Sequence, residues 1–186
     1  MVYPTKNLFT GSLIKLSAVR ANDAEQMARW QEDSNYLRTL DTDYAVLHSC
    51  DSIKDQDLKA GTKSNNIQFR LRTIENDQLI GFVALHSIEW NNQSCLLAIG
   101  IGDSDFRGKG YGKDALQLIL RYAFYELNLN RVGLDVISNN KPAIVAYKKV
   151  GFKLEGSMRD AVYRDGQHYD RIIMGILRSE WIEMQK

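Results

Sequence analysis

The stretch Asp105-Phe106-Arg107-Gly108-Lys109-Gly110-Tyr111-Gly112 sits between an apolar run, Cys95-Leu96-Leu97-Ala98-Ile99-Gly100-Ile101-Gly102, and an amphipathic segment beginning near Lys113. Three glycines at alternate positions let the backbone approach a ligand closely and turn successive N–H groups inward, and a following helix adds its positive end. The combination predicts a cradle for a pyrophosphate; a glycine-rich turn used only for chain reversal is the plainer alternative. A nucleotide P-loop is excluded, because Arg107 stands five residues before Gly112-Lys113 where glycine is required and Asp114 follows where Ser or Thr is required. A dinucleotide fingerprint fits only in the frame Gly110 to Ala115, and residues 103–109 then separate it from the strand end where that fold starts its glycines.

Outward from the cradle the pattern alternates between periods of two and of about 3.6 residues. Upstream, Leu13 to Val19 reads as a strand, and Asn22-Asp23 offers caps for a helix through Trp30. Residues 33–50 show no clear period, and Ser52 offers a cap for a second helix to about Ala60. Ile67 to Glu75, Gln78 to Trp90 and the run ending at Gly102 are separated by Asn76-Asp77 and Asn91-Asn92, which predicts an antiparallel meander. Downstream, Leu116, Ile119, Leu120, Ala123 and Leu127 mark one buried helix face. Arg131 to Ile137 reads as a strand, Pro142 to Val150 as a helix stopped by Gly151, and Phe152 to Val162 with Tyr169 to Leu177 as a hairpin about Arg164-Asp165-Gly166-Gln167. A last helical turn is expected at Glu180 to Gln185. The order βααβββαβαββ implies an α/β sandwich on a mixed sheet.

Composition bounds the rest. The 186 residues suit one domain spanning 1–186, and 24 basic against 23 acidic residues leave no global charge to attract nucleic acid or acidic lipid. Cys50 and Cys95 are too few for a disulfide framework and lack zinc spacing, so unpaired thiols and no metal are expected. Residues 1–7 lack the apolar core of a signal peptide, and no stretch is apolar over the ~18 residues of a membrane span. A cytoplasmic protein is expected.

Arg107, Gly110 and Gly112, after a strand and before a helix, form the pattern Arg-x-x-Gly-x-Gly, and at this point the chain resembles the GNAT superfamily of acetyl-CoA-dependent N-acetyltransferases. The segment Asn140-Lys141-Pro142-Ala143 through Tyr147 to Gly151-Phe152 is similar to the superfamily's second cofactor motif. Glu155-Gly156 through Arg159, Asp165-Gly166, Tyr169-Asp170 and Glu180-Trp181 resemble the branch holding the ribosomal-protein-alanine acetyltransferases. The likeness runs from about Ser94 to Trp181; before it, only the order of elements agrees. It implies an αβα sandwich around a mixed, mostly antiparallel sheet of six to seven strands, with acetyl-CoA as co-substrate. A homodimer is compatible with such a fold, though no feature of the sequence demands one.

The resemblance also implies roles. N–H groups from Gly108, Lys109, Gly110, Tyr111 and Gly112 would hold the pyrophosphate, with charge added by Arg107 and Lys109, the latter equally suited to a solvated surface. Ile99 and Ile101 would donate backbone bonds to the cofactor arm, while their side chains fit a core equally well. Tyr147 would protonate the departing thiolate, and a phenol of pKa about 10 carries that proton at neutral pH; a packing tyrosine is the alternative. Asn140 would contact the arm, compatibly with capping the helix at Pro142. One departure is clear: related transferases often carry a glutamate two residues before the glycine of the fourth strand, and here Ala98 stands there. Glu89 and Asp103, then His86, are the substitutes available, unless water takes the proton. Trp30, Tyr36, Asp41, Asp43 and Tyr44 supply aromatic and acidic groups for a cationic small-molecule amine, whereas the tail favours a protein N-terminus. A non-catalytic acetyl-CoA-binding module is the alternative to an acetyltransferase acting on a primary amine.

Overall fold

The computed structural model describes residues 7–62 and 65–186. The N-terminal stretch Met1 to Lys6, whose lack of an apolar core was noted above, lies outside them.

A seven-stranded sheet runs in the order β1-β2-β3-β4-β5-β7-β6. Its strands are β1 (Ile14–Ser17), β2 (Ile67–Thr73), β3 (Leu79–Glu89), β4 (Ser94–Ile101), β5 (Arg131–Ile137), β6 (Lys153–Arg164) and β7 (Gln167–Leu177). Every neighbouring pair is antiparallel except β4 and β5. The expected meander is β2-β3-β4, with Asp77 (φ 60°) and Gln93 (φ 51°) in left-handed conformation at its two turns. The hairpin turn between β6 and β7 falls on Asp165 and Gly166, at φ 51° and 75°, with Arg164 opposite Gln167. Two consecutive left-handed residues match the twist of the flanking strands, which is why Asp-Gly marks this turn.

The helices are α1 (Asp23–Gln31), α2 (Ser34–Leu40), α3 (Cys50–Thr62), α4 (Tyr111–Arg121), α5 (Lys141–Lys149) and α6 (Arg178–Glu183). Helix α4 starts two residues earlier than its periodicity predicts and runs on as a π-helical turn over Tyr122–Glu126. Its predicted face is correct: Leu116, Ile119, Leu120 and Ala123 are buried in the main core with Leu97, Val132, Leu134 and Met174. The opposite sheet face carries a smaller cluster of Trp30, Tyr36 and Leu79. Two faces alternate along β4. Ile99 and Ile101 pack against the main core, whereas a Cβ on Gly100 would strike Leu40, Tyr36 and Phe82, and one on Gly102 would strike the Trp30 ring.

Helix α2 was not anticipated. Its seven residues span under two turns, too few for a period to show, although Asp33 caps it by accepting from the Asn35 N–H at 3.0 Å. The expected caps of α1 also act otherwise. Asn22 makes no capping bond, and the buried Asp23 carboxylate pairs with Arg72 and lies 3.9 Å from Arg70, which Asp57 holds at 2.5 Å. Burial of these charges is tolerable only because each has its partner. A second buried carboxylate, Asp114 in the first turn of α4, accepts from the N–H groups of Ser12 (3.0 Å), Leu13 (2.7 Å) and Ile14 (3.0 Å), so it locks the start of β1 to the helix.

Candidate active site

The parallel pair sets the site. Strands β4 and β5 are matched at Ser94 with Arg131, Cys95 with Val132 and Leu96 with Gly133, and nowhere beyond. Yet β4 stays paired with β3 as far as Ile101, and β5 with β7 as far as Ile137. Past Leu96 the sheet therefore opens as a wedge between two continuous halves. Gly102 donates its N–H to Ile80 of β3 at 2.9 Å. By strand alternation the N–H groups of Ile101 and Ile99 then point away from β3, into the wedge.

The cradle closes the wide end of this wedge. Gly108 and Gly110 adopt φ of 73° and 92°, and a Cβ at Gly108 would meet nothing within 4 Å, so its surface is open. Helix α4 begins at Tyr111, and the N–H groups of its first turn lack intrahelical acceptors. The one acid of that turn, Asp114, is turned away toward β1, leaving the positive helix end uncompensated on the cradle side.

The Arg107 guanidinium does not reach out as free charge. It donates to the carbonyls of Ile101 (2.9 Å) and Gly102 (2.7 Å) and to Asp33 (3.2 Å), and lies 5.1 Å over the Tyr36 ring. It thus fixes the loop to the end of β4 and to α2. Lys109 is exposed, and Tyr111 packs edge-on against Phe106 at 5.0 Å.

A cavity of about 480 Å³ fills the wedge. Ile99, Ile101, Arg107, Gly108, Gly112, Asn140 and Tyr147 all line it, whereas Lys109, Gly110 and Tyr111 do not. Asn140 caps α5 by accepting from the Ala143 N–H at 3.3 Å, and its amide donates to the Thr39 carbonyl at 3.2 Å, tying α5 to the end of α2. Pro142 occupies the first turn and Gly151, at φ 104°, ends the helix as expected. Tyr147 packs edge-on against Phe152 at 5.8 Å. Burial, with the Asp135 carboxylate adding to it, pushes its phenol up to about 12, so it keeps its proton throughout the neutral range.

The far end of the cavity is acidic. Tyr36, Asp41 and Asp43 line it, as the sequence suggested; Trp30 does not, being buried against Gly102, and Tyr44 is exposed beside a neighbouring hollow. Arg164 at the tip of β6 donates to the backbone carbonyls of Thr42 (3.0 Å) and Asp43, and Arg38 of α2 pairs with Asp165 at 2.7 Å. The distal hairpin thereby holds the acidic loop in place.

Three lining side chains, Asp135, Arg171 and His86, were missed or undervalued in the sequence. Asp135 is the one acid of β5 and interrupts its apolar run from Val132 to Ile137, a signal that was legible; Arg171 lies 3.7 Å from it. His86 lines the cavity too, and burial lowers its pKa against the pull of Asp135 and Asp41. Glu89 and Asp103, ranked ahead of it as bases, are elsewhere: Glu89 accepts from Asn92 at 2.5 Å, and Asp103 caps the 3₁₀ turn Ser104–Phe106. Cys50 and Cys95 are unpaired, and burial pushes the Cys95 thiol up to about 12. Among the described residues no cluster of metal-ligating side chains occurs, and no helix is long and apolar enough to cross a membrane.

Comparison with known proteins agrees with this geometry. A family profile described as Acetyltransferase (GNAT) domain matches residues 16–173. The SPbeta prophage-derived uncharacterized N-acetyltransferase YokL of Bacillus subtilis (strain 168) is 27% identical over 174 residues, covering 93% of this chain and 94% of that one. The spermidine N(1)-acetyltransferase of Vibrio cholerae (serotype O1, El Tor Inaba N16961) is 32% identical over 104 residues, 56% of this chain and 60% of that one. A crystal structure of spermidine N-acetyltransferase from Vibrio cholerae in complex with CoA and spermine superposes with a TM-score of 0.82 at 24% identity, covering 91% of this chain and 98% of that one, which shows a shared fold. With a matched profile over most of its length, the chain belongs to the GNAT family of acetyltransferases and is an acyltransferase.

Proposed function

We propose that the protein transfers an acetyl group from acetyl-CoA to a primary amine of a small polycationic acceptor such as a polyamine, by direct attack with both substrates bound. The observation that carries this reading is the single cavity running from the cradle through the wedge to three carboxylates, Asp41, Asp43 and Asp135, with Tyr147 inside it. Relatives named as spermidine acetyltransferases support the acceptor class.

The residues present fit the donor. N–H groups of the cradle from Gly108 to Gly112 would hold the pyrophosphate, and the open surface at Gly108 leaves it room. The N–H groups of Ile99 and Ile101 would pair with the amide-bearing arm like a further strand, filling positions β5 leaves vacant past Gly133. Acetyl-CoA supplies the acyl group as a thioester. Holding amine and thioester in one cavity removes much of the entropy of their encounter, a contribution of several kcal/mol (about 7–11 at best). The Tyr147 phenol would give its proton to the sulfur as the C–S bond breaks.

The test is incubation with acetyl-CoA and a panel of polyamines, aminoglycosides, amino acids and peptides with free N-termini, read by mass spectrometry for one added acetyl group. Acetylated polyamine is the expected product. Acetylation of peptides alone would transfer the acceptor to protein N-termini, and acetyl-CoA binding without any product would leave a cofactor-binding module.

A further inference from the structure

The attacking amine arrives as an ammonium and must lose a proton before its lone pair can reach the thioester carbon. At Ala98, where a carboxylate on β4 would have served, the methyl group can take none. The register shows what surrounds that gap. Ala98 is directly opposite Ala84 on β3, and residues directly opposite in an antiparallel pair share a face. His86, two residues along β3, lies on that same face and is diagonal to Ala98, within the ~7–8 Å over which diagonal neighbours interact. On the other side, Leu96 is matched with Gly133, so Ala98 and Asp135 each stand two residues beyond the last parallel pair, level across the wedge. The small side chain thus leaves a space flanked by an imidazole and a carboxylate, and both line the cavity that holds Tyr147.

Resting on the acetyltransfer to an amine proposed above, we propose that His86 is the general base of the reaction, with the Asp135 carboxylate across Ala98 as its electrostatic partner. The ammonium proton passes to an imidazole nitrogen. The freed amine forms the C–N bond, the C–S bond breaks, and its electron pair leaves on sulfur, which takes the Tyr147 proton. The second proton of the attacking nitrogen restores the phenol. The imidazolium gives its proton to solvent, so one acetyl group is transferred and one proton released.

The electrostatics fit this work. The charged groups facing His86 are Asp135 from β5, Asp41 from the loop after α2, and Arg171 of β7 through its pairing with Asp135; the Ser87 hydroxyl lies 3.2 Å from its Nδ1. Burial outweighs the two carboxylates and lowers the imidazole pKa, so the ring enters neutral at pH 7 and able to accept. Its base function is present above that pKa and lost as pH falls through it, so the acid limb of kcat/KM should lie below the ordinary histidine value of about 6.5.

The experiment compares wild type with His86→Gln on two acceptors, spermidine and a spermidine analogue fluorinated beside the terminal amine, which is neutral at assay pH. The variant should lose 10²-fold or more in kcat on spermidine, a typical general-base contribution, and less than about 5-fold on the fluorinated analogue. Equal losses on both acceptors, or none, would overturn the assignment while wild-type turnover on spermidine leaves the acetyltransferase reading intact. Wild type without turnover on any amine would remove that reading, and the base with it. Should His86→Gln fail to fold, Asp135→Asn keeps the imidazole but removes a charge that raises its pKa, so the acid limb should move to lower pH; a limb that stays fixed would refute the coupling.

Discussion

Replacing Tyr147 by Phe separates acid catalysis from packing at one atom. The ring contributes an edge-on contact with Phe152 at 5.8 Å, which phenylalanine retains, so the fold and the binding of CoA should survive. What the proposed role would lose is the proton for the departing sulfur. A positioned acid contributes about 10²–10⁴-fold, so kcat should fall by that factor, equivalent to about 2.7–5.4 kcal/mol at 1.36 kcal/mol per tenfold. The environment sharpens the prediction. A phenol of ordinary pKa about 10 is half ionised at pH 10, whereas one held up to about 12 is ionised in about one molecule in a hundred there. The wild-type kcat should therefore stay flat to about pH 10, then fall. Thiol release followed with a chromogenic disulfide gives kcat, and calorimetric titration with CoA gives Kd. A Tyr147→Phe kcat within threefold of wild type, at unchanged Kd, would refute the role of the phenol; a wild-type kcat already halved by pH 10, as an ordinary phenol would give, would refute the account of its environment.

Three further outcomes follow from groups already placed. Asp41→Asn with Asp43→Asn should raise the KM for spermidine at least severalfold and leave the Kd for CoA unchanged; an unchanged KM would remove the acidic mouth from acceptor binding. Asp114→Asn presents an amide to three backbone N–H groups that now share a carboxylate, which should lower stability by roughly 2–4 kcal/mol, or about 4–16 °C in Tm by scanning calorimetry. A shift under 2 °C would show that β1 is held by its other contacts. Asp23→Asn leaves buried Arg72 without its charge partner and should destabilise by about 3–5 kcal/mol in urea unfolding; an unmoved midpoint would contradict a structural role for this pair.

The parts legible in the sequence are those whose physics is local. A left-handed glycine, a proline in a first turn, Asp165-Gly166 between two strands, and the buried stripe of α4 each announce themselves within a few residues. Helix α2 escaped because its seven residues cannot display a period, yet it delivers Tyr36 and Leu40 to the cavity. The role of Asp23 escaped because a helix-start aspartate looks like a cap until β2 brings Arg70 and Arg72 beneath it. The relation of His86 to Ala98 and Asp135 belongs to register across three strands, and no stretch of one strand contains it. Arg107 was found by its motif, but its work of tying the loop to carbonyls of β4 is visible only in the fold.

The three-residue parallel match between β4 and β5 acts as a pivot. From Leu96 to Ile101 the strand extends five residues, a lever of about 17 Å at ~3.3 Å per residue. Any change in packing at the pivot is magnified along that arm. A Cβ at Gly133 would sit 3.1 Å from the Arg131 guanidinium and 3.3 Å from the Leu96 side chain, so those side chains would have to give by a few tenths of an ångström. Gly133 does not line the cavity, so Gly133→Ala should alter the wedge from outside it, and a changed Kd for CoA in calorimetric titration would register that change.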